Sequence, residues 1–453
     1  MSSKFVYFTS LTLENVRAFR QRQTLSLTTS SDSSAPARWT LIIGENGVGK
    51  TSLLQCLANM RPVASARTSI DKSAAAPKTC VDPAFTEEFD NDKFDALTRA
   101  GDDVDLNLRA NFSVGSQLDS EIKTDEAPIF TSLEVKRENR KVEKITEDGS
   151  EYADFSEPLV IGYGASRHMG YENSKEVAAT AAVASLFEPG IELIDAERTL
   201  LDLDHSRLLG DPDADSRLAQ LKAALATILP DIQENPENIQ IKGPKSAGLS
   251  GKGGVHAQTP YGLVPLSSLS LGYQTMTAWT IDLALRLSQK YPESKTPLSE
   301  PAIVLIDEID LHLHPKWQRK VRSDLSKHFP NVQFIATAHS PLMAQTYLDA
   351  NLAVIRREND QAVIFNDPEV IQGWRLDQVI TSELFGFESA RSPDIEAKIQ
   401  RRIELIQSMP RTPDEEIELQ DLDRALEDLP SEESAADNEA LKIIRRAAKA
   451  LTK

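Results

Sequence analysis

The chain has 453 residues, 40% of them hydrophobic, and a formal net charge of −19. That length exceeds one ordinary domain and allows a large core with insertions or an appended domain. The acidic balance argues against an extended nucleic-acid surface, because neutralising phosphates requires a basic stripe; it leaves room only for a local patch such as residues 136–141. Two cysteines, Cys56 and Cys80, make neither a disulfide framework nor a zinc set, which points to a reducing compartment. No long apolar region follows residues 1–4 and no run approaches a membrane span, so the expectation is a soluble cytoplasmic protein with no membrane partner.

Residues 5–19, 23–28 and 39–43 read as strands, by alternation or by a continuous apolar run. The third runs into Gly44-Glu45-Asn46-Gly47-Val48-Gly49-Lys50-Thr51, which matches G-x-x-x-x-G-K-[ST], and residues 52–57 leave it as a helix. Glycines let the backbone turn tightly, so that successive N–H groups converge on phosphates at a helix N-terminus. The candidate nucleotide-binding residues are Asn46, Gly47, Gly49, Lys50, Thr51 and Ser52. Lys50 would reach the β- and γ-phosphates and the Thr51 hydroxyl would ligate Mg²⁺. The plain alternative, a chance glycine-rich turn, does not explain a strand before and a helix after.

Residues 65–78 are rich in Ser and Ala, and the spacing predicts a loose surface loop. Residues 104–114 and 129–145 alternate and would complete an antiparallel layer; the basic run inside the second reads most simply as a solvated hairpin tip. Residues 174–230 have a helical pattern, and residues 243–254, rich in Gly, Lys and Ser, look mobile. No sustained a/d repeat occurs here, which excludes long coiled-coil arms. Leu269-Ser270-Leu271-Gly272-Tyr273-Gln274 precedes an apolar helix over 276–287. Ala302-Ile303-Val304-Leu305-Ile306 then forms a buried strand ending in Asp307 and Glu308. With a P-loop upstream, Asp307 would hold the Mg²⁺ shell, and Glu308, pointing to the opposite side, would polarise the attacking water. A last short apolar strand from Gln333 ends in His339.

The order of these motifs resembles the ABC-type ATPases. In that family Ser270 and Gly272 match the L-S-x-G signature, which contacts a γ-phosphate held by the other subunit, and His339 matches the switch histidine. The run Asp307-Glu308-Ile309-Asp310-Leu311-His312-Leu313-His314-Pro315-Lys316-Trp317-Gln318, with the later Thr337-Ala338-His339-Ser340-Pro341, resembles the RecF/SMC/OLD-like branch, in particular the ATPase subunits of Septu and retron-linked bacterial antiphage defence. Leu13-Glu14-Asn15-Val16-Arg17-Ala18-Phe19 looks like that branch's N-terminal element, which places Arg17 near the nucleotide. The resemblance covers residues 1 to about 390. It implies an α/β P-loop head with a parallel core sheet, an antiparallel β layer and a helical subdomain near 174–230. It further implies ATP and Mg²⁺ as cofactors, a homodimer of heads or a higher oligomer, and a separately encoded nuclease effector of HNH type. DNA would be contacted, if at all, through the complex; the alternative is a RecF/SMC-like repair or DNA-loading ATPase. Two departures stand out. No glutamine occurs in Gly162–Arg167, where the Q-loop would lie, leaving Ser166 as a weak substitute. His312 and His314 could be read as metal ligands with Glu308, but a place at the dimer seam is the expectation.

Beyond Phe385 the character changes. Ser392-Pro393-Asp394 starts one helix and Thr412-Pro413-Asp414-Glu415 another, the latter as a capping box. A third amphipathic stretch spans residues 439–451. Neither an H-N-H pattern nor a TOPRIM-like set of acids appears in residues 391–453; the amphipathic faces need a cover, either the head itself or, as expected here, a partner or a neighbouring subunit on which this helical extension docks.

Overall fold

The computed structural model describes residues 5–29, 35–67, 78–84, 96–99, 105–115, 129–138, 141–145, 157–167, 170, 182–229, 232, 234–243, 254–346, 351–366, 374–382, 385, 389–408 and 410–426. In chain order the strands are β1 Phe5–Glu14, β2 Gln23–Ser26, β3 Trp39–Gly44, β4 Pro62–Arg67, β5 Lys78–Pro83, β6 Leu106–Gly115, β7 Ile129–Glu138, β8 Lys141–Ile145 and β9 Val160–Tyr163. They continue as β10 Ile239–Lys242, β11 Gly254–Thr259, β12 Gly262–Pro265, β13 Ala302–Ile306, β14 Val332–Ala338, β15 Asn351–Glu358 and β16 Gln361–Asn366. The helices used below are α1 Lys50–Asn59, α2 Ala196–Leu208, α3 Pro212–Ile228, α4 Leu271–Lys290, α5 Pro315–Gln318, α6 Val321–His328, α7 Pro341–Thr346, α8 Leu376–Thr381, α9 Pro393–Gln407 and α10 Pro413–Leu426.

The central sheet has the order β16-β15-β3-β14-β13-β9. All its pairings are parallel except that of β15 with β16. β13 and β14 are buried at every position, as strands covered on both faces must be, and this is why they read as unbroken apolar runs. A second, antiparallel sheet has the order β2-β1-β6-β7-β8. One apolar core lies between the two sheets, with Phe8, Leu11 and Leu13 of β1 and Leu53, Leu54 and Leu57 of α1 fully buried in it.

Side-chain amides join the sheets, two of them by bonding to both sides of a strand's backbone. Where the register of β1 shifts between Phe8 and Ser10, the buried Gln333 of β14 accepts from the Phe8 N–H at 2.9 Å and donates to its C=O at 2.8 Å. Asn366 of β16 does the same for β2, accepting from Ser26 N–H at 2.9 Å and donating to Thr24 C=O at 2.7 Å. Each amide supplies the backbone pairing that a neighbouring strand would otherwise provide.

The α2–α3 pair carries an Asp N-cap at each start, Asp195 and Asp211, and Pro212 at the first helical position of α3. β10, β11 and β12 form a small meander beside it, fixed where the Glu197 carboxylate accepts from Val255 N–H at 2.9 Å.

Several expectations about local structure change. Residues 65–67 belong to β4, where their backbone groups find partners in residues 78–80 of β5. Residues 15–19 leave the strand in a tight loop, with Asn15 at φ 58° and Arg17 at φ 45°. Residues 182–195 hold only a short 3₁₀ turn, Ala184–Leu186, and the helices begin at Ala196. Residues 244–253, most of the glycine-rich segment, and 439–451 lie outside the described residues. The chain divides into two compact units, Met1–Val379 and Ile380–Lys453. In the second, α9 and α10 pair. Leu405 is buried and Leu419 nearly so, while Arg401 makes two bonds of 2.9 Å to the Glu418 carboxylate on the surface. Among the described residues no helix is long and apolar enough to cross a membrane.

Candidate nucleotide site

β3 delivers the chain to the P-loop at its C-terminal end, the edge of a parallel sheet where ligands bind in folds of this kind. Gly49 sits at φ 99° and Gly47 at φ 78°, a left-handed backbone that a side chain would strain. Gly49 also faces Phe19, whose Cε2 would stand 2.7 Å from a Cβ there. Val48 is buried while Asn46 and Gly47 are exposed, so the loop is anchored on one side and open on the other. Lys50 Nζ arches over the loop and donates to Gly44 C=O and Glu45 C=O, both at 2.7 Å. It lies 3.5 Å from His339 Nδ1. Burial pulls Lys50 down to about 8, against the opposing pull of the Asp307, Glu308, Asp310 and Glu45 carboxylates.

Thr51 Oγ1 donates to Asp307 Oδ2 at 2.8 Å, joining the P-loop helix to the end of β13. The other Asp307 oxygen accepts from Thr337 Oγ1 at 2.7 Å, and the Glu308 N–H donates to that same hydroxyl at 2.8 Å. Asp307 is buried and Glu308 half-buried, its carboxylate Oε1 3.9 Å from His339 Nε2. Lys50, Thr51, Asp307, Glu308 and His339 therefore form one cluster although their positions in the sequence span almost three hundred residues. A hydroxyl and a carboxylate are hard oxygen donors, so Thr51 and Asp307 suit Mg²⁺ rather than a soft metal.

The remaining sequence candidates fall into two places. Ser52 is buried and accepts from Arg17 Nη1 at 3.0 Å; the same Arg17 nitrogen donates to Gln55 Oε1 at 2.6 Å. Arg17 thus braces the inner side of α1. Ser270 is exposed at the N-cap of α4 and its side chain makes no capping bond. Gly272 is packed so closely on the chain's own His312 that a Cβ would stand 2.5 Å from the His312 carbonyl oxygen. Among the described residues no hydrogen bond links Ser270 or Gly272 to the P-loop. His314 caps α5, its Nδ1 accepting from Lys316 N–H at 3.3 Å, and no three His, Cys, Asp or Glu side chains among the described residues gather as a metal cluster.

The family described as "AAA domain, putative AbiEii toxin, Type IV TA system" matches residues 40–344, a stretch that holds the P-loop, the Asp307–Glu308 strand and His339. The chain belongs to this AAA-domain family. Septu protein PtuA of Bacillus mycoides (strain KBAB4) is 26% identical over 398 residues, which are 87% of this chain and 47% of that protein. The retron Ec83 probable ATPase of Escherichia coli is 40% identical over 129 residues, 28% of this chain and 22% of that one. The retron Vc95 probable ATPase of Vibrio cholerae serotype O1 biovar El Tor is 45% identical over 92 residues, 20% and 18% of the two chains. The chain thus spans less than half the length of these relatives. Among solved structures, the SMC head domain from Thermotoga maritima aligns with 80% of this chain and 99% of its own at 13% identity and a TM-score of 0.39. Family, motif order and sheet together agree with the ABC-type P-loop ATPase head, of the branch found in defence systems, that the motifs resemble.

In this AAA-domain head the structure adds residues the sequence reading did not single out. Asp310 Oδ2 accepts the N–H groups of both His339 and Ser340, at 3.0 and 2.7 Å, and so sets the loop that carries the histidine. Gln318 Oε1 accepts from Ser340 Oγ at 2.7 Å. Tyr163, at the end of β9, donates its hydroxyl to Asp282 of α4 at 2.8 Å, and Arg286 pairs with the same carboxylate oxygen at 2.8 Å. Arg167, four residues on, is buried; it donates to the carbonyls of Gly164 and Asp307 and, at 2.8 Å, of Glu308. Ser166, the substitute considered for the missing glutamine, is exposed. Asp310 was in plain view inside the D-E-I-D run. Arg167 carried no signal, since its partners are backbone carbonyls, one three residues back and two about 140 residues on.

Proposed function

We propose that this chain is an ATP-binding and ATP-hydrolysing switch subunit of a bacterial antiphage defence complex. In this reading, ATP-dependent pairing of two heads regulates a separately encoded nuclease of HNH type. The observation that carries it is the split of the site. Lys50, Thr51, Asp307, Glu308 and His339 form a cluster within one chain, whereas Ser270 stands exposed at the start of α4 and neither it nor the buried Gly272 has a bond to that cluster. Two copies facing each other would bring each signature segment to the other copy's cluster.

The P-loop N–H groups and Lys50 would hold the triphosphate, the flexible ammonium acting as a point charge on the β- and γ-oxygens. Thr51 and Asp307 would hold Mg²⁺, which when bound neutralises charge on those phosphates. Glu308 would polarise the attacking water, and His339 would contact the γ-phosphate. The N-terminus of α4, with the exposed Ser270, would complete the γ-phosphate shell from the partner chain through its positive dipole end. Binding energy from two sandwiched ATP molecules favours the closed pair, and hydrolysis removes it. Residues 1–390 would serve as the head and 391–453 as the extension that meets the effector or a neighbouring subunit. The acidic chain leaves any DNA contact to the complex, in the cytoplasm.

Mixing two inactive variants tests the shared site. Ser270→Arg and Lys50→Ala proteins combined in equal amounts can form a pair with one intact composite site and one doubly damaged one. ATPase activity of the mixture above that of either variant alone is expected. Demonstrated mixed pairs without recovery would show that the site is contained in one chain.

A further inference from the structure

Glu308 is one of six non-glycine residues among those described with positive φ, and it lies just past the end of the fully buried strand β13. Its φ of 49° is a left-handed backbone that a side chain rarely adopts and that persists only where the surroundings enforce it. Those surroundings are specific. Arg167 donates to the carbonyl of Asp307 and to that of Glu308, the two peptide groups on either side of the Glu308 Cα. Thr337 Oγ1 takes the Glu308 N–H at 2.8 Å, and the Thr337 carbonyl takes the next N–H, that of Ile309, at 2.9 Å. With both flanking carbonyls and both flanking amides held, neither φ nor ψ of Glu308 can relax.

The loop that delivers Arg167 is itself built closely. Gly164 N–H donates to Ser185 Oγ at 3.2 Å, and that hydroxyl donates to Gly162 C=O at 2.7 Å. A side chain at Gly164 would run into the Ser185 carbonyl. The Tyr163 carbonyl accepts the Asp307 N–H at 2.8 Å, so the loop and the end of β13 move as one piece. Among the described residues Arg167 makes no ion pair. Nη1 and Nη2 of this buried guanidinium bond only to carbonyls, a use of its planar fork that a lysine ammonium cannot copy.

We propose that Arg167 is the positioning residue for water activation: by clamping the two peptides around Glu308 it fixes where the carboxylate stands, the task left open by the absent loop glutamine. The proposal rests on the ATPase reading above and deepens it. Arg167 touches the backbone of Glu308, so it acts through that residue and leaves ATP binding to the P-loop.

The test uses the full chain with Arg167→Ala and Arg167→Lys. In Arg167→Ala, kcat falls about 100-fold, while ATP affinity, measured by calorimetry, stays within about threefold. Arg167→Lys retains a larger share of kcat, and millimolar guanidinium restores part of the rate to Arg167→Ala. The double variant Arg167→Ala with Glu308→Gln is no slower than Glu308→Gln alone, since both changes remove one function. Unchanged kcat, a parallel loss of affinity, or additive losses in the double variant would each overturn the proposal. Should Arg167→Ala fail to fold, Arg167→Lys decides through hydrogen exchange: faster exchange at the amides of residues 307–309, with the P-loop unchanged, supports the clamp, and parental protection there refutes it. Exchange needs no turnover, so if the parent protein does not hydrolyse ATP, the ATPase reading fails while the clamp is still judged.

Discussion

The nucleotide end of the central sheet and the α9–α10 pair both abound in charge, yet they are held in opposite ways. At the nucleotide end the buried charged groups have specific partners: Asp307 is bound to Thr51 and Thr337, Arg167 to backbone carbonyls. In α9–α10 the pairs, such as Arg401 with Glu418 and Arg402 with Asp423, lie in solvent above a thin apolar seam of Leu405 and Leu419. Buried polar networks fix one arrangement, because every broken bond leaves an unsatisfied group behind. Exposed pairs are screened and exchange readily with water. The first region therefore keeps one geometry, while the charges of the second hold it only loosely.

The sharpest break between the two regions is Glu308→Gln. It keeps the shape and loses the base, so kcat is expected to fall about 1,000-fold with ATP still bound, and the paired heads to accumulate with ATP. Steady-state turnover together with light scattering checks this; turnover at the parental rate would assign the water to another group. Lys50→Ala comes next, with ATP affinity lower by about 100-fold through loss of a charged contact to the phosphates, read by calorimetry.

The position of Lys50 also predicts a pH dependence. Burial lowers it to about 8 in the free protein, and bound phosphates would draw it back up. ATP binding then takes up a proton above pH 8. Affinity should be flat below about pH 7 and weaken as pH rises through 8, with a limiting slope of about tenfold per unit. The folding side has the same origin. The unfolded lysine keeps its proton up to the ordinary value of 10.5, so the cost of burying Lys50 is full below about 8 and fades as pH rises towards 10.5. Thermal melts of the parent and of Lys50→Met should therefore converge with rising pH.

The smallest effect on ATPase activity is expected from the other region. Leu405→Ala opens the seam between α9 and α10 and should abolish the pair's own protection from proteolysis. ATP affinity and kcat should stay within about twofold, because residues 380–453 form a separate compact unit. Loss of turnover in Leu405→Ala would mean that the two regions act as one.

Residue order alone disclosed much of this protein, because certain chemistry cannot be done any other way. A backbone that wraps phosphate needs glycines at fixed spacing, so Gly44 to Thr51 declared itself. Strands buried on both faces must be apolar throughout, so β13 and β14 were legible, and with them Asp307, Glu308 and His339 at their ends. The caps of α9 and α10 were equally visible, in Ser392-Pro393 and in the box where Thr412 Oγ1 accepts the Glu415 N–H at 3.3 Å while the Glu415 carboxylate accepts the Thr412 N–H at 2.7 Å. What only the tertiary structure decided were the contacts made to backbone and those made across long loops. Arg167 has no pattern because a carbonyl has no letter. Gln333 and Asn366 look like ordinary strand polar residues until they are seen completing the ladders of β1 and β2. The likeness named Arg17, but only the fold shows its partners, Ser52 and Gln55 of α1. The left-handed turn at Glu308 could not be read from the residue itself, since it is imposed by Thr337 on one side and Arg167 on the other.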